Sequence, residues 1–259
     1  MANVDKHPAG SFCWIELATT DQNAAKTFYM SLFGWSVIDT PMGPGNDYSI
    51  FQLHGRASAA AYTLQKDQLA RGVPVHWNLY VAVDSADQSA AKAAQAGASI
   101  IMPPFDVPDA GRMSVIHDPT GALFCVWQPG QVPGLGVVGE NGALCWADLG
   151  TPDPDRAKKF YSTLFSWHIT TAPNDPSGYL HIKNGENFIG GIPPASSDSK
   201  TPPAWLIYFM VADVAATAAK AAQSGGKTLM PPQTMPGVGT WAIIADPQGG
   251  VFAVFKPGK

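Results

Sequence analysis

Two short stretches place a carboxylate two residues after a tryptophan: Cys13-Trp14-Ile15-Glu16-Leu17 and, 132 residues later, Cys145-Trp146-Ala147-Asp148-Leu149. An acid held in a partly apolar cleft has a raised pKa and can serve as a general base. The same group can instead accept a hydrogen bond from a neighbouring tryptophan or a backbone amide and hold a sheet together, because perturbed acids also occur in structural networks. His76, followed at alternate positions by Asn78 and Tyr80, adds a second group able to move protons. Glu16 and His76 are therefore the candidate catalytic residues. Cys13, Cys125 and Cys145 are odd in number and form no CxxC pair, so they read as small buried hydrophobes. His7 lies in the N-terminal tail, and His54, His117, His168 and His181 have no histidine at the matching position of the other stretch. All five read as solvated or satisfied structural histidines. No Ser-His-Asp order, phosphate-cradling glycine loop or dinucleotide fingerprint is visible, and Gly237-Val238-Gly239 falls in a turn between strands.

The elements that position these residues are themselves duplicated. Residues 13–35 recur at 145–167, while Ala91–Gly97, Met102-Pro103-Pro104 and Asp118–Gly121 recur 128 residues on as Ala219–Gly225, Met230-Pro231-Pro232 and Asp246–Gly249. The small change of offset places the deletions in loops, so both halves should share one fold. A Gly/Pro-rich stretch from Pro129 to Gly142 separates them. The chain divides into a first domain over 10–130, a linker over 131–141 and a second domain over 142–258.

Within the first half, residues 12–17 read as a strand, and Thr20 or Asp21 can cap a helix whose apolar positions Ala25, Phe28, Tyr29, Leu32 and Phe33 keep helical spacing. In the second copy Asp153-Pro154 marks the start, with proline at the first helical position. Strands follow near 36–40, 48–53, 57–64 and 76–83, then an alanine-rich helix over 86–96 closed by Gly97, then strands near 99–102, 112–117 and 122–127. The order β-α-β-β-β, repeated four times, predicts an α+β fold of tandem modules: two curved mixed sheets with helices on their convex faces. Strand alternation puts Trp14, Glu16, His76, Asn78, Tyr80, Leu123, Cys125 and Trp127 on the first concave face. On the second it puts Trp146, Asp148, Leu206, Tyr208 and Phe255, a greasier set. Aromatic walls with a few convergent polar groups suit a flat or amphipathic organic ligand. The alternative is that these aromatics close the cleft and merely fill it. Loops around 41–47 and 103–111 would set the pocket volume.

The stretch ending Phe28-Tyr29-Met30-Ser31-Leu32-Phe33-Gly34-Trp35, the Asp118-Pro119-Thr120-Gly121 turn and their second-half copies resemble the vicinal oxygen chelate superfamily of glyoxalase I, bleomycin-resistance proteins and extradiol dioxygenases. The Cys-Trp-x-[Glu/Asp]-Leu opening resembles two-domain glyoxalase-like proteins that include a mycobacterial antigen. The resemblance implies metal ligands, mostly His, Glu or Gln, on the first and last strands of each unit. Those positions fall here at Trp14, Trp146, Cys125 and Ala253, with His76 or Asn78 and Ala204 or Leu206 on the strands between. An indole offers a metal no lone pair. A first-half site would have to be assembled from His76, Cys125 and Glu16, a mixed set unusual for hard divalent ions. The leading expectation is a metal-free protein of this type, without cofactor, binding a small organic ligand. The alternatives are a metal-dependent lyase, isomerase or dioxygenase and a non-catalytic scaffold.

Of the 259 residues 46% are hydrophobic and 14% charged, with a net charge of −4, which excludes disordered and coiled-coil classes. No positive stripe is available to neutralise phosphates, so no nucleic-acid partner is expected. The N-terminal stretch lacks a signal-peptide apolar core, and no apolar run approaches the roughly 20 residues that span a bilayer. The expectation is a cytoplasmic protein with no membrane partner. The tandem arrangement suits a monomer, and a homodimer stays open.

Overall fold

The computed structural model describes residues 3–43, 47–172, 177–195 and 201–258. Residues 44–46, at the tip of the expected 41–47 loop, lie outside the described residues. The chain forms β1 (Phe12–Thr19), α1 (Gln22–Phe33), β2 (Ser36–Pro41), β3 (Asp47–Leu53) and β4 (Arg56–Thr63) as its first unit. A short helix α2 (Lys66–Ala70), which the sequence did not suggest, leads into β5 (His76–Ala82), α3 (Ala86–Gln95), β6 (Ser99–Val107), β7 (Gly111–His117) and β8 (Leu123–Pro129). The second half repeats the plan with β9 (Leu144–Gly150), α4 (Pro154–Phe165), β10 (His168–Thr171), β11 (Leu180–Asn184) and β12 (Asn187–Ile192). It closes with β13 (Ala204–Met210), α5 (Val214–Gln223), β14 (Lys227–Met235), β15 (Gly239–Ala245) and β16 (Val251–Pro257).

The caps explain where the helices start. Asp21, rather than Thr20, caps α1 by accepting from the Ala24 amide at 2.9 Å, and Asp153 caps α4 from the Arg156 amide with Pro154 at the first position. Gly34 ends α1 in the left-handed region. Residues 103–107 extend β6, so the stretch expected as a loop over 103–111 narrows to the turn between β6 and β7. Pro103 and Pro104 fit there because β6 is an edge strand, where no ladder donor is needed.

Each half of the described chain forms an eight-stranded mixed sheet, in the orders β2-β3-β4-β1-β5-β8-β7-β6 and β10-β11-β12-β9-β13-β16-β15-β14. The architecture is the tandem α+β arrangement expected. At the centre of the first sheet, antiparallel register sets Trp14 opposite Tyr80 and Glu16 opposite Asn78, which fixes the concave face as read from alternation. Ile15, Leu17 and Leu79 point the other way and are fully buried.

The helices cover that other face, but α1 and α4 are not on the outside of the molecule. Phe28 and Tyr29 of α1 contact Trp77 of the first sheet and Phe252 of the second. Phe160 and Tyr161 of α4 contact Phe124 of the first sheet, and Tyr161 contacts Trp205 of the second. The contacts form one aromatic seam between the halves, sealed by an exchange of tyrosines. The Tyr29 hydroxyl donates to Asp246 and the Tyr161 hydroxyl to Asp118, each at 2.9 Å. Each aspartate uses its remaining oxygen to close its own Asp-Pro-x-Gly turn, accepting from the Gln248 and Gly250 amides or from those of Thr120 and Ala122. The Gly/Pro-rich connection is packed rather than free: Leu135 and Val137 are buried, and the Leu135 amide donates to the Cys13 carbonyl at 2.8 Å.

Candidate functional site

On both concave faces the same four side chains meet. In the first half the Trp14 indole donates to the Tyr48 hydroxyl at 2.8 Å, Tyr48 donates to Glu16 Oε2 at 2.7 Å, and Tyr80 donates to Glu16 Oε1 at 2.5 Å. In the second half Trp146 donates to Tyr179 at 2.9 Å, Tyr179 to Asp148 Oδ1 at 2.5 Å, and Tyr208 to Asp148 Oδ2 at 2.8 Å. Two tyrosines thus clamp one carboxylate, and a tryptophan orients one tyrosine. Tyr48 and Tyr179 were not among the sequence candidates. Their signal was present, since they hold matching positions on β3 and just before β11, but both lie beside breaker-rich segments where alternation cannot be counted.

The acids differ by one methylene, and the surroundings adjust. Asp148 sits close enough for Trp146 to reach it directly as well, at 2.9 Å. Tyr179 approaches over Gly191, where a methyl group would overlap its hydroxyl, whereas the longer Glu16 pairs with Ala60 at the same register position. Asn78 gives Glu16 a third hydrogen bond at 3.3 Å; its counterpart Leu206 gives Asp148 none. Burial pushes the Glu16 carboxyl up, against the opposing hydrogen bonds of Tyr80, Tyr48 and Asn78 and the charge of His76. Burial likewise raises Asp148, opposed by Tyr179, Tyr208, Trp146 and nearby His181.

The structure brings Trp14, Glu16, Asn78, Tyr80, Cys125 and Trp127 together and buries each of them to more than nine-tenths. The centre of the first bowl is therefore enclosed, while Leu123 and His76 on the same face stay partly exposed. His76 stays partly exposed at the rim, with Nδ1 2.8 Å from the Pro74 carbonyl and Nε2 3.1 Å from Asn78 Oδ1. In the second bowl Asp148 and Tyr208 are buried, but Trp146, Leu206 and Phe255 are only half-buried. That bowl is also less greasy than expected, because Tyr179, His181 and Lys183 join its face. His181 departs from the expected satisfied histidine at one atom: its Nδ1 is buried and has no hydrogen-bond partner among the described residues, while the residue as a whole is half-buried.

The donor set does not fit a divalent metal. The positions on β1 and β9 where the resemblance implies metal ligands hold Trp14 and Trp146, whose indole nitrogens donate to tyrosines. Glu16 already accepts from three protein donors, and burial holds the Cys125 thiol well above its ordinary pKa, hence protonated. Among the described residues no group of three or more His, Cys, Asp or Glu side chains is placed to hold an ion.

Comparison with known proteins follows the same duplication. The profile of the Glyoxalase/Bleomycin resistance protein/Dioxygenase superfamily matches residues 11–126 and 143–254. The chain belongs to this superfamily. Within the superfamily, a Mycobacterium tuberculosis protein named "Putative glyoxylase CFP32" is 41% identical over 261 residues, covering 99% of this chain and 98% of that protein. The anthracycline biosynthesis protein DnrV of Streptomyces peucetius is 32% identical over 264 residues, covering 95% and 93%. Among solved structures, the Mn(II)-bound glyoxalase from Novosphingobium aromaticivorans aligns over 96% of this chain and 82% of its own, with a TM-score of 0.67 at 17% identity. The 2,3-dioxygenase LapB from Pseudomonas sp. KL28 aligns with a TM-score of 0.64 at 13% identity, over 100% and 94%. At those identities the structural neighbours share the superfamily's fold. No helix among the described residues is long and apolar enough to cross a membrane.

Proposed function

We propose that the chain is a glyoxalase-superfamily protein that binds a small aromatic or amphipathic organic molecule on its concave face and does so without a resident metal. The observation that carries this reading is the replacement of a chelating side chain by an indole at the same place in both halves, with each indole tied to a tyrosine–carboxylate clamp. The clamp presents aromatic edges and satisfied polar groups, a lining suited to stacking and hydrogen bonding rather than to polarising an oxygen through an ion. The relatives named for anthracycline biosynthesis support an organic, non-polymeric ligand. The half-buried Trp146, Leu206 and Phe255 favour the second bowl as the place of binding.

Elemental analysis of protein purified without chelators tests the metal-free part; a full equivalent of manganese, iron, nickel or zinc overturns it. Titration of the intrinsic tryptophan fluorescence with a panel of aromatic compounds tests the binding part. Saturable quenching that disappears in Trp146→Phe supports binding at the second bowl. A second reading makes Glu16 and His76 acid–base groups of a lyase or isomerase. The line of hydrogen bonds from rim to interior, His76 to Asn78 to Glu16, favours it. Ligand binding that survives Glu16→Gln while turnover is lost supports that second reading.

A further inference from the structure

The duplication supplies an internal control for what the fold itself requires. In the first half the outer strands carry Ser36 and Ile38 on β2, Ile50 and Gln52 on β3, and Ala57 on β4. In the second half the same register positions carry His168 and Thr170 on β10, His181 and Lys183 on β11, and Phe188 on β12. The match extends to a register shift at the same step, between Phe51 and Gln52 and between Ile182 and Lys183. Since one copy folds with small, apolar and neutral residues at these five places, the architecture does not demand imidazoles, an ammonium group and an exposed ring there.

These second-half residues surround a cavity of about 220 Å³ with no acidic side chain in its lining. It opens on the face that carries Asp148, because His181 pairs with Gly191 and Gly191 with Asp148. Three groups in it lack what their chemistry calls for. The buried Nδ1 of His181 has no hydrogen-bond partner among the described residues. The Lys183 ammonium lies 4.5 Å from the centroid of the Phe188 ring and pairs with no carboxylate among the described residues. Phe188 is 56% exposed, with its ring edge-on to His181 at 5.6 Å. Asp148, on the same face, has both oxygens occupied by Tyr179, Tyr208 and Trp146.

We propose that this cavity recognises a single-ring aromatic carboxylate, whose oxygens take the Lys183 ammonium and His181 Nδ1–H and whose ring covers Phe188. The proposal deepens the reading of the concave face as an organic-ligand site and rests on it. A cavity of this size lies below the roughly 300–1,000 Å³ of drug-sized sites, which limits the ligand to about one ring. The carboxylate supplies the acceptor and the negative charge that the lining lacks, and the bond to lysine is charge-assisted.

The test is a titration of the full chain with benzoate, followed in two-dimensional amide NMR spectra, with acetate and benzamide as probes lacking the ring or the charge. Saturable shifts at Thr170, His181, Lys183 and Phe188 are expected with benzoate, binding at least about tenfold weaker with benzamide, the worth of one charge-assisted hydrogen bond, and weaker binding with acetate, which loses the ring contact with Phe188. Lys183→Gln and His181→Ile install the residues that the first half already carries at these positions, so each should fold and each should weaken benzoate by about tenfold. Unchanged affinity in both variants overturns the proposal, as do benzoate shifts confined to the Trp14 and Glu16 side. Should benzoate fail while a neutral aromatic shifts Trp146 and Asp148, the carboxylate site falls and the broader ligand reading stands. If no aromatic compound binds anywhere, both fall.

Discussion

The two bowls are built from one pattern and finished differently. In the first, Trp14, Glu16, Asn78, Tyr80, Cys125 and Trp127 are buried, while Tyr48, His76 and Leu123 stay partly exposed. In the second, the acid is a methylene shorter, asparagine becomes leucine, and the outer strands exchange Ile50 and Gln52 for His181 and Lys183. The part common to both, a tryptophan, two tyrosines and an acid, belongs to the module; what differs between them is where a specific ligand chemistry is to be sought. The two acids themselves are equally enclosed, and the difference lies in the side chains around them.

Removing the acids should separate the bowls most clearly. Glu16→Ala orphans three donors and should lower stability by about 3 kcal/mol in urea denaturation, whereas Asp148→Ala, whose donor Trp146 is only half-buried, should cost about 2 kcal/mol. Equal losses would erase the contrast. Next comes the coupling of acid length to backbone: Gly191→Ala should destabilise by about 2 kcal/mol through its overlap with Tyr179. Adding Asp148→Glu recreates the first half's combination and should recover about half of that loss, which a double-mutant cycle measures.

A smaller effect is the pH dependence. Both carboxyls are raised by burial, so the folded chain holds protons that the unfolded chain releases. Their favourable contribution is complete below the unfolded carboxyl range, about pH 4, and is lost as pH rises through the raised folded values. Glu16→Gln and Asp148→Asn should each flatten the decline in denaturation midpoint above about pH 4, and an unchanged slope in both would show that neither acid is perturbed. The smallest effect sharpens the sameness instead: Asp21→Ala and Asp153→Ala should each cost about 1 kcal/mol, because the two caps have the same geometry.

Much of this was legible beforehand because it is encoded locally. The repeated Phe-Tyr helix, the Asp153-Pro154 start and the alternation around Trp14 and Glu16 depend on neighbours in sequence, and the structure reproduces them. Tyr48 and Tyr179 escaped because their approach to the acids depends on strand order, β3 and β11 reaching the centre only through β4 and β12. His181 was passed over because its partner position, Ile50, is apolar; that mismatch marks a difference between copies, which is informative where a shared fold makes the rest alike. The extent of β6 and β14 was hidden by their proline pairs, which end a central strand but are tolerated at an edge.

The exchange of tyrosines between the halves bears on how such a chain can evolve. Because each module hands the other a hydroxyl on the side away from the bowls, substitutions on either concave face leave the join untouched. One bowl can drift toward an enclosed centre while its twin keeps half-buried walls, and the join between the halves is kept throughout.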